Sequence, residues 1–210
     1  MPKGPTKRRP QTRARLLDAA MEAFAELGFH GATIDEICRR AGYTTGAYYS
    51  NFASKDELFY ALFDEQATKA VDRFSERLSR LDDPTSPEQL VALAGEIGPD
   101  ERRWFLVSTE FTLYAMRNPE AARTLADHDA RVRAKLVRVL ERLLDEMGRA
   151  PAVDLEQFAR LLIAIREGGL MQSLVEPEQL PPNSLERDFL PVLLRAASAE
   201  RDDGPAPRGT

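Results

Sequence analysis

Cysteine is almost missing from this chain. Cys38 is the only one in 210 residues, which excludes an internal disulfide and fits a reducing compartment. Histidine is nearly as scarce, with only His30 and His128. His30 lies four residues after Glu26, but a loop begins between them and no second histidine is near in sequence, so the helix-spaced ligands of a hydrolytic metal site are not assembled. A glycine-rich phosphate loop is missing too, and Cys38 falls on an apolar helical stripe, where it reads as a small core residue and not a nucleophile. No run of 18 apolar residues exists, and the basic N-terminus lacks the apolar stretch of a secretory signal. Sustained two-residue alternation and Asn-Gly or Asp-Gly hairpin signals are missing, so no strand is expected. These absences leave a soluble cytoplasmic protein that is not an enzyme and needs no metal or other cofactor.

What is present is helical and unevenly charged. Apolar residues make up 43% and charged residues 30% of the chain, an ordinary balance for one large or two small soluble domains. The net charge of −5 hides an asymmetry. Residues 1–55 hold Lys3, Lys7, Arg8, Arg9, Arg13, Arg15, Arg39, Arg40 and Lys55 against Asp18, Glu22, Glu26, Asp35 and Glu36, nine minus five or +4, which leaves −9 for the rest. A basic head on an acidic body suits a head that meets a polyanion, and equally a solvated basic tail.

Caps and periodicity place the helices. A basic, Pro-rich arm, residues 1–11, and a tail, residues 200–210, are expected to be disordered. The first helix runs from about Thr12 to Leu27 on the stripe Leu16, Leu17, Ala20, Met21 and Phe24, and Gly28 ends it. "TIDE" is a capping box from Thr33 to Glu36, opening a second helix that Gly42 closes. A short helix from Thr44 or Thr45 to about Asn51 follows. Ser54 and Glu57 form another capping box, opening a long helix to about Arg80. Ser86 with Pro87 starts a short helix. Then come Asp100–Arg117, a helix from Asn118 and Pro119 to about Met147, Asp154–Val175, and a last one from Asn183 or Ser184 to near Ala199. The fold class is all-α, with about nine helices: a three-helix head over 12–55 and a helical body over 56–199.

The second and third helices, joined by Gly42, Tyr43 and Thr44, have the form of a helix-turn-helix, whose second helix enters the major groove. Gly46 weakens that helix and is useful on its outer face if main chain must approach DNA closely. Tyr49 offers a ring and a hydroxyl that can bond a phosphate oxygen. Lys55 opens the following helix, where the helix dipole opposes a cation; a phosphate docked at that terminus would account for it.

The stretch "RARLLDAAMEAFAELGFHGATIDEICRRAGYTTGAYYSNFASKDELF", Arg13 to Phe59, resembles the N-terminal signature of the TetR family of bacterial transcriptional repressors. The resemblance implies a DNA-binding head, a homodimer and a variable ligand domain. It further implies that Thr33, Thr44, Tyr49 and Lys55 contact phosphates, with Asn51 among them although the family often has histidine there. Thr45, Gly46, Ala47 and Ser50 occupy base-facing positions. That set lacks Arg, Asn and Gln, so readout is expected through thymine methyls, hydroxyls and DNA shape. Tyr43 stands where the family has a small aliphatic residue. The basic arm, Lys3 to Arg15, either enters the minor groove or only adds charge.

Beyond Phe59 the resemblance is architectural. Helices 154–175 and 184–199 look like the family's dimer-forming pair, implying a palindromic operator. "RRWFLVSTEFTLYAM" gathers Trp104, Ser108, Phe111 and Tyr114 on one side of a helix, the make-up of a small-molecule pocket and also of ordinary core. Arg166 is a polar handle for a ligand or a dimer contact. The expected function is a homodimeric repressor released from its operator by an unidentified small molecule, with the helix from Ser54 as the lever. The alternatives are an activator or a ligand-independent regulator of the same fold.

Overall fold

The computed structural model describes residues 8–80, 82, 83, 86 and 98–201. Among these it contains eight helices: α1 (Arg8–Gly31), α2 (Ile34–Ala41), α3 (Thr45–Tyr49), α4 (Lys55–Leu78), α5 (Pro99–Ala115), α6 (Pro119–Glu146), α7 (Leu155–Val175) and α8 (Ser184–Ala196). The all-α expectation holds. The short helix expected from Ser86 lies outside the described residues. Two compact units are present. The first comprises the described residues up to Lys69 together with Gly98–Ala130, and the second takes the remainder, from Ala70 and from Arg131 onward. The start of α4 and all of α5 fall in the same compact unit as the head.

In the first unit α1 begins at Arg8, four residues before the expected start. Pro10 does not prevent this, because the first-turn N–H groups of a helix have no partner to lose. Gly28 breaks the regular helix with φ 73° and ψ 166°, a conformation that belongs almost solely to glycine. One further turn follows, closed by the Ala32 N–H to the Gly28 carbonyl at 3.1 Å. Leu16, Leu17, Ala20 and Phe24 are buried, as their spacing requires. Gly42 ends α2 in the left-handed region, at φ 71°. Its N–H reaches the Arg39 carbonyl and that of Tyr43 the Cys38 carbonyl, the paired closure of a Schellman motif.

The capping boxes differ from expectation in detail. Thr33 Oγ1 accepts the Glu36 N–H at 3.2 Å, but the Glu36 carboxylate does not return to the Thr33 backbone. It is taken by Arg39 and Arg40 at 2.7–2.8 Å, and Arg40 also grips Glu26 of α1 at 2.8 Å. Two guanidiniums outcompete one backbone N–H for a carboxylate. Hydrogen bonding from Arg39, then from Arg40, lowers the Glu36 carboxyl from 4.5 to about 2. A carboxyl lowered on folding contributes stability above its unfolded value, and the contribution is lost as pH falls through the folded one. In urea unfolding, the gap between wild type and Glu36→Gln should be constant above pH about 4.5 and close as pH approaches about 2.

The second unit buries Val139, Leu140, Leu143, Phe158, Ala159, Leu194 and Ala197, with Val71 and Phe74 of α4 packed against them. Asp154 caps α7 through the Gln157 N–H at 2.9 Å. Two short strands appear here against expectation. Arg149–Pro151 (β1) pairs antiparallel with Ser198–Glu200 (β2), Arg149 opposite Glu200 and Pro151 opposite Ser198. The last helix accordingly stops at Ala196 and not near Ala199. Gly148, at φ 65°, turns the chain out of α6. Arg149 then locks the pair by donating to the Ser198 hydroxyl at 2.7 Å and its carbonyl at 2.8 Å. Three-residue strands carry too little alternation to register in a sequence.

Candidate nucleic-acid interface

The head's outer surface is built by two caps and one buried ring. Thr44 Oγ1 accepts the Ala47 N–H at 3.2 Å and starts α3. Tyr48 is fully buried, with its hydroxyl donated to the Ser54 carbonyl at 2.9 Å and its ring against Phe52. That anchor fixes the rotation of α3. With Tyr48 inward, the next residue must point out, and Tyr49 is 59% exposed. Thr33, Thr44, Thr45, Gly46 and Ser50 are exposed with it, and Ala47 is half-buried. Both helix starts, α2 at Thr33 and α3 at Thr44, thus carry an exposed threonine. A helix N-terminus presents N–H groups and the positive end of its dipole to an anion.

Gly46 has no structural duty within the chain. A Cβ built there would meet only Thr44 Oγ1, at 3.7 Å, and its φ is not in the left-handed region. Gly46→Ala should therefore raise stability by about 0.5–1 kcal/mol in thermal unfolding. If duplex DNA lies against this face, the same substitution should weaken binding in a fluorescence-anisotropy titration. A residue whose only role was structural would move both quantities in one direction.

Two candidate contacts are engaged elsewhere. Asn51 turns inward, its amide N–H₂ donating to the Ala47 carbonyl at 2.8 Å, while its Oδ1 is buried without a partner. Lys55 donates from Nζ to the carbonyls of Phe29 at 2.6 Å and Ala32 at 3.0 Å, and lies 4.6 Å from the centre of the Phe29 ring. Burial lowers its pKa. Two arginines of α1 are closer to α3 than sequence reasoning placed them. Arg9 donates to the Ser50 carbonyl at 3.3 Å, and the Arg13 guanidinium lies over Phe52 at 5.2 Å. The signal was present in their four-residue spacing on a helix that begins earlier than its apolar stripe suggested.

Of the residues expected to bind a ligand, Trp104, Ser108, Phe111 and Tyr114 lie in the first unit and Arg166 in the second. Phe111 is wholly buried, stacked on Phe59 with centroids 3.6 Å apart and crossed edge-on by Phe29 at 4.9 Å. Trp104 stacks on the other side of this cluster, 5.9 Å from Phe59. The Tyr114 hydroxyl is 3.4 Å from Asp56 and accepts from Asn118 at 3.0 Å. Ser108 turns its hydroxyl back to the Phe105 carbonyl at 3.1 Å. Arg166 belongs to the second unit, where it bonds Asn183 and, at 3.0 Å, Glu186. An aromatic run on a helix looks alike whether it lines a cavity or fills one. His128, not singled out by the sequence, is buried between Tyr60 and Phe63 with Nδ1 2.5 Å from Asp64.

Residues 16–62 match the family model for bacterial regulatory proteins of the tetR family, and residues 86–195, over half the chain, match that for the C-terminal region of BetI-type transcriptional repressors. The chain is a TetR-family transcriptional regulator. Its curated relatives include the HTH-type transcriptional regulator UidR of Escherichia coli K12, 27% identical over 80% of this chain and 84% of UidR. The HTH-type transcriptional regulator BetI of Klebsiella pneumoniae is 36% identical over 41% of this chain and 44% of BetI. Among solved structures, Salmonella enterica GusR superposes with a TM-score of 0.67 at 29% identity, over 89% of this chain and 95% of GusR. The TetR-family regulator described here is accordingly a DNA-binding protein. No helix among its described residues is long and apolar enough to cross a membrane.

Proposed function

We propose that this regulator is a repressor that binds a palindromic operator as a homodimer and leaves it when a small molecule binds. The observation that carries the DNA half of the reading is the exposed face of α3, where an unobstructed Gly46 sits between the cap Thr44 and the outward ring of Tyr49. Thr33, Thr44 and Tyr49 serve as phosphate contacts, while Thr45, Gly46, Ala47 and Ser50 face the bases. Hydroxyls and methyls at those positions suit thymine-rich half-sites, and Arg9 and Arg13 lie close enough to α3 to add charge beside the groove.

The dimer reading is supported by α7 and α8. Leu161, Ala164, Gly168, Met171 and Val175 repeat at alternating three- and four-residue steps along α7, and Phe189, Val192 and Ala196 continue the pattern on α8. All but the half-buried Gly168 are exposed in the single chain. A groove of about 310 Å³ between Val153, Phe158, Leu161, Leu193 and Ala196 prolongs this face. Heptad-like spacing left exposed among the described residues is what one half of a four-helix interface looks like. For the ligand, the accessible rim of the aromatic cluster at Trp104 and Tyr114 is the proposed contact. Trp104 is the sole tryptophan, so its fluorescence can report binding directly.

Selection of duplexes from a random library by the purified protein tests the reading. Enrichment of two inverted, thymine-containing half-sites, centred one helical turn or a multiple apart, is the expected result. Enrichment of a lone or directly repeated site, or of none, rejects it.

A further inference from the structure

A lysine at the first position of α4 sits at the unfavourable end of that helix's dipole. The structure accounts for it without DNA. The last carbonyls of α1 lack intrahelical partners and form the negative pole of that helix. The Phe29 carbonyl in its last turn and the Ala32 carbonyl just beyond it accept from Lys55 Nζ at 2.6 and 3.0 Å. The Phe29 ring lies under the ammonium at 4.6 Å and is itself held edge-on by Phe111 at 4.9 Å. Ala32 is buried, and the residue after it is Thr33, the exposed N-cap of α2. The ammonium therefore pins the end of one helix, and through it the first residue of the next.

We propose that Lys55 is a positioning residue for DNA binding: it clasps the Phe29–Ala32 turn and so sets Thr33 and the start of α2 against the phosphate backbone, without itself pairing a phosphate. This rests on the reading of the head as a duplex-binding surface. Two of the three N–H donors of the ammonium are committed to carbonyls that have no other donor among the bonds described, and the Phe29 ring holds it in the same turn.

Three measurements test it. Competitive acylation of the free wild-type protein, read by mass spectrometry, should modify Lys55 about tenfold more slowly than the exposed Lys69, as for a group that reacts only after local opening. Equal rates overturn the clasp. Next, binding of Lys55→Met to a duplex selected by wild type should weaken on the order of 10–100-fold, the loss of roughly one charge-assisted hydrogen bond in all. Its dependence on log salt should keep the wild-type slope. Unchanged affinity, or a slope reduced by about 0.9 per head, overturns the proposal, because the latter is the signature of a lost phosphate ion pair. Finally, Thr33→Val and Lys55→Met should be non-additive, the double variant binding no worse than Lys55→Met alone, whereas additive losses mean independent contacts. Lys55→Gln, which retains an N–H donor for the carbonyls, should recover part of the affinity with the same slope, and it serves if the Met variant does not fold. Should wild type enrich no duplex, the DNA reading fails, while slow acylation still supports the clasp.

Discussion

Phe111→Ala should lower the unfolding free energy by about 3–5 kcal/mol, the range for removing a fully buried aromatic side chain from a core. The upper half of that range is expected here. Phe111 has no exposed surface and touches rings on four sides: Phe59 stacked at 3.6 Å, Phe29 at 4.9 Å, and Tyr60 and Tyr114 each at 5.4 Å. Aromatic pairs contribute roughly 0.5–1.5 kcal/mol each beyond buried area. The neighbours cannot close the void easily, since they come from α1, α4 and α5, three helices with fixed ends. Against a total stability of about 5–15 kcal/mol, this is a large fraction. Urea unfolding should show the midpoint falling with an unchanged slope, and Phe111→Leu should cost much less, below about 1.5 kcal/mol. A Phe111→Ala protein as stable as wild type would mean that the ring lines a space already open to solvent or ligand, as the sequence alone allowed.

That contrast shows where the sequence was legible. Apolar spacing located Leu16, Leu17, Ala20 and Phe24 in the core because period and burial coincide on an amphipathic helix. Thr33, Thr44, Ser54 and Asp154 declared their helix starts because a cap is a contact between near neighbours in sequence. What could not be read were partners distant in the chain. Lys55 stands 26 residues from the Phe29 carbonyl it holds, and Arg149 stands 49 from Ser198. In the sequence Lys55 therefore looked like a cation in need of an anion, and the strand at Ser198–Glu200 looked like the end of a helix. The motif near Glu36 failed for a local reason: the sequence offered the carboxylate one backbone N–H and two arginines, and the stronger donors took it.

The largest effect on function is expected from charge placed in the exposed seam of the second unit. The double variant Met171→Glu, Val192→Glu should convert a homodimer to a monomer in sedimentation analysis. Met171 and Val192 are 50% and 60% exposed in the single chain, so the monomer loses no core contact, and its unfolding should be nearly unchanged. In a two-fold dimer each substitution occurs twice, so four carboxylates enter one apolar interface. Breaking an interface in this way leaves buried charge without a partner, which costs several kcal/mol per site. Operator binding should then fall by about 10²–10⁴, because the second head no longer benefits from being tethered to the first. Gly168 sharpens the expectation. It weakens α7 by roughly 1 kcal/mol relative to alanine, and a Cβ there meets nothing within 4 Å among the described residues. Its neighbour Gly169, by contrast, has Leu185 at 3.3 Å from such a Cβ. If a second copy packs on this seam, Gly168 is the point at which its helix can approach most closely. Gly168→Leu should therefore dissociate the dimer even though it adds no charge and strengthens the helix. A dimer that survives both changes must be joined through another surface, and the operator symmetry proposed above would lose its structural basis.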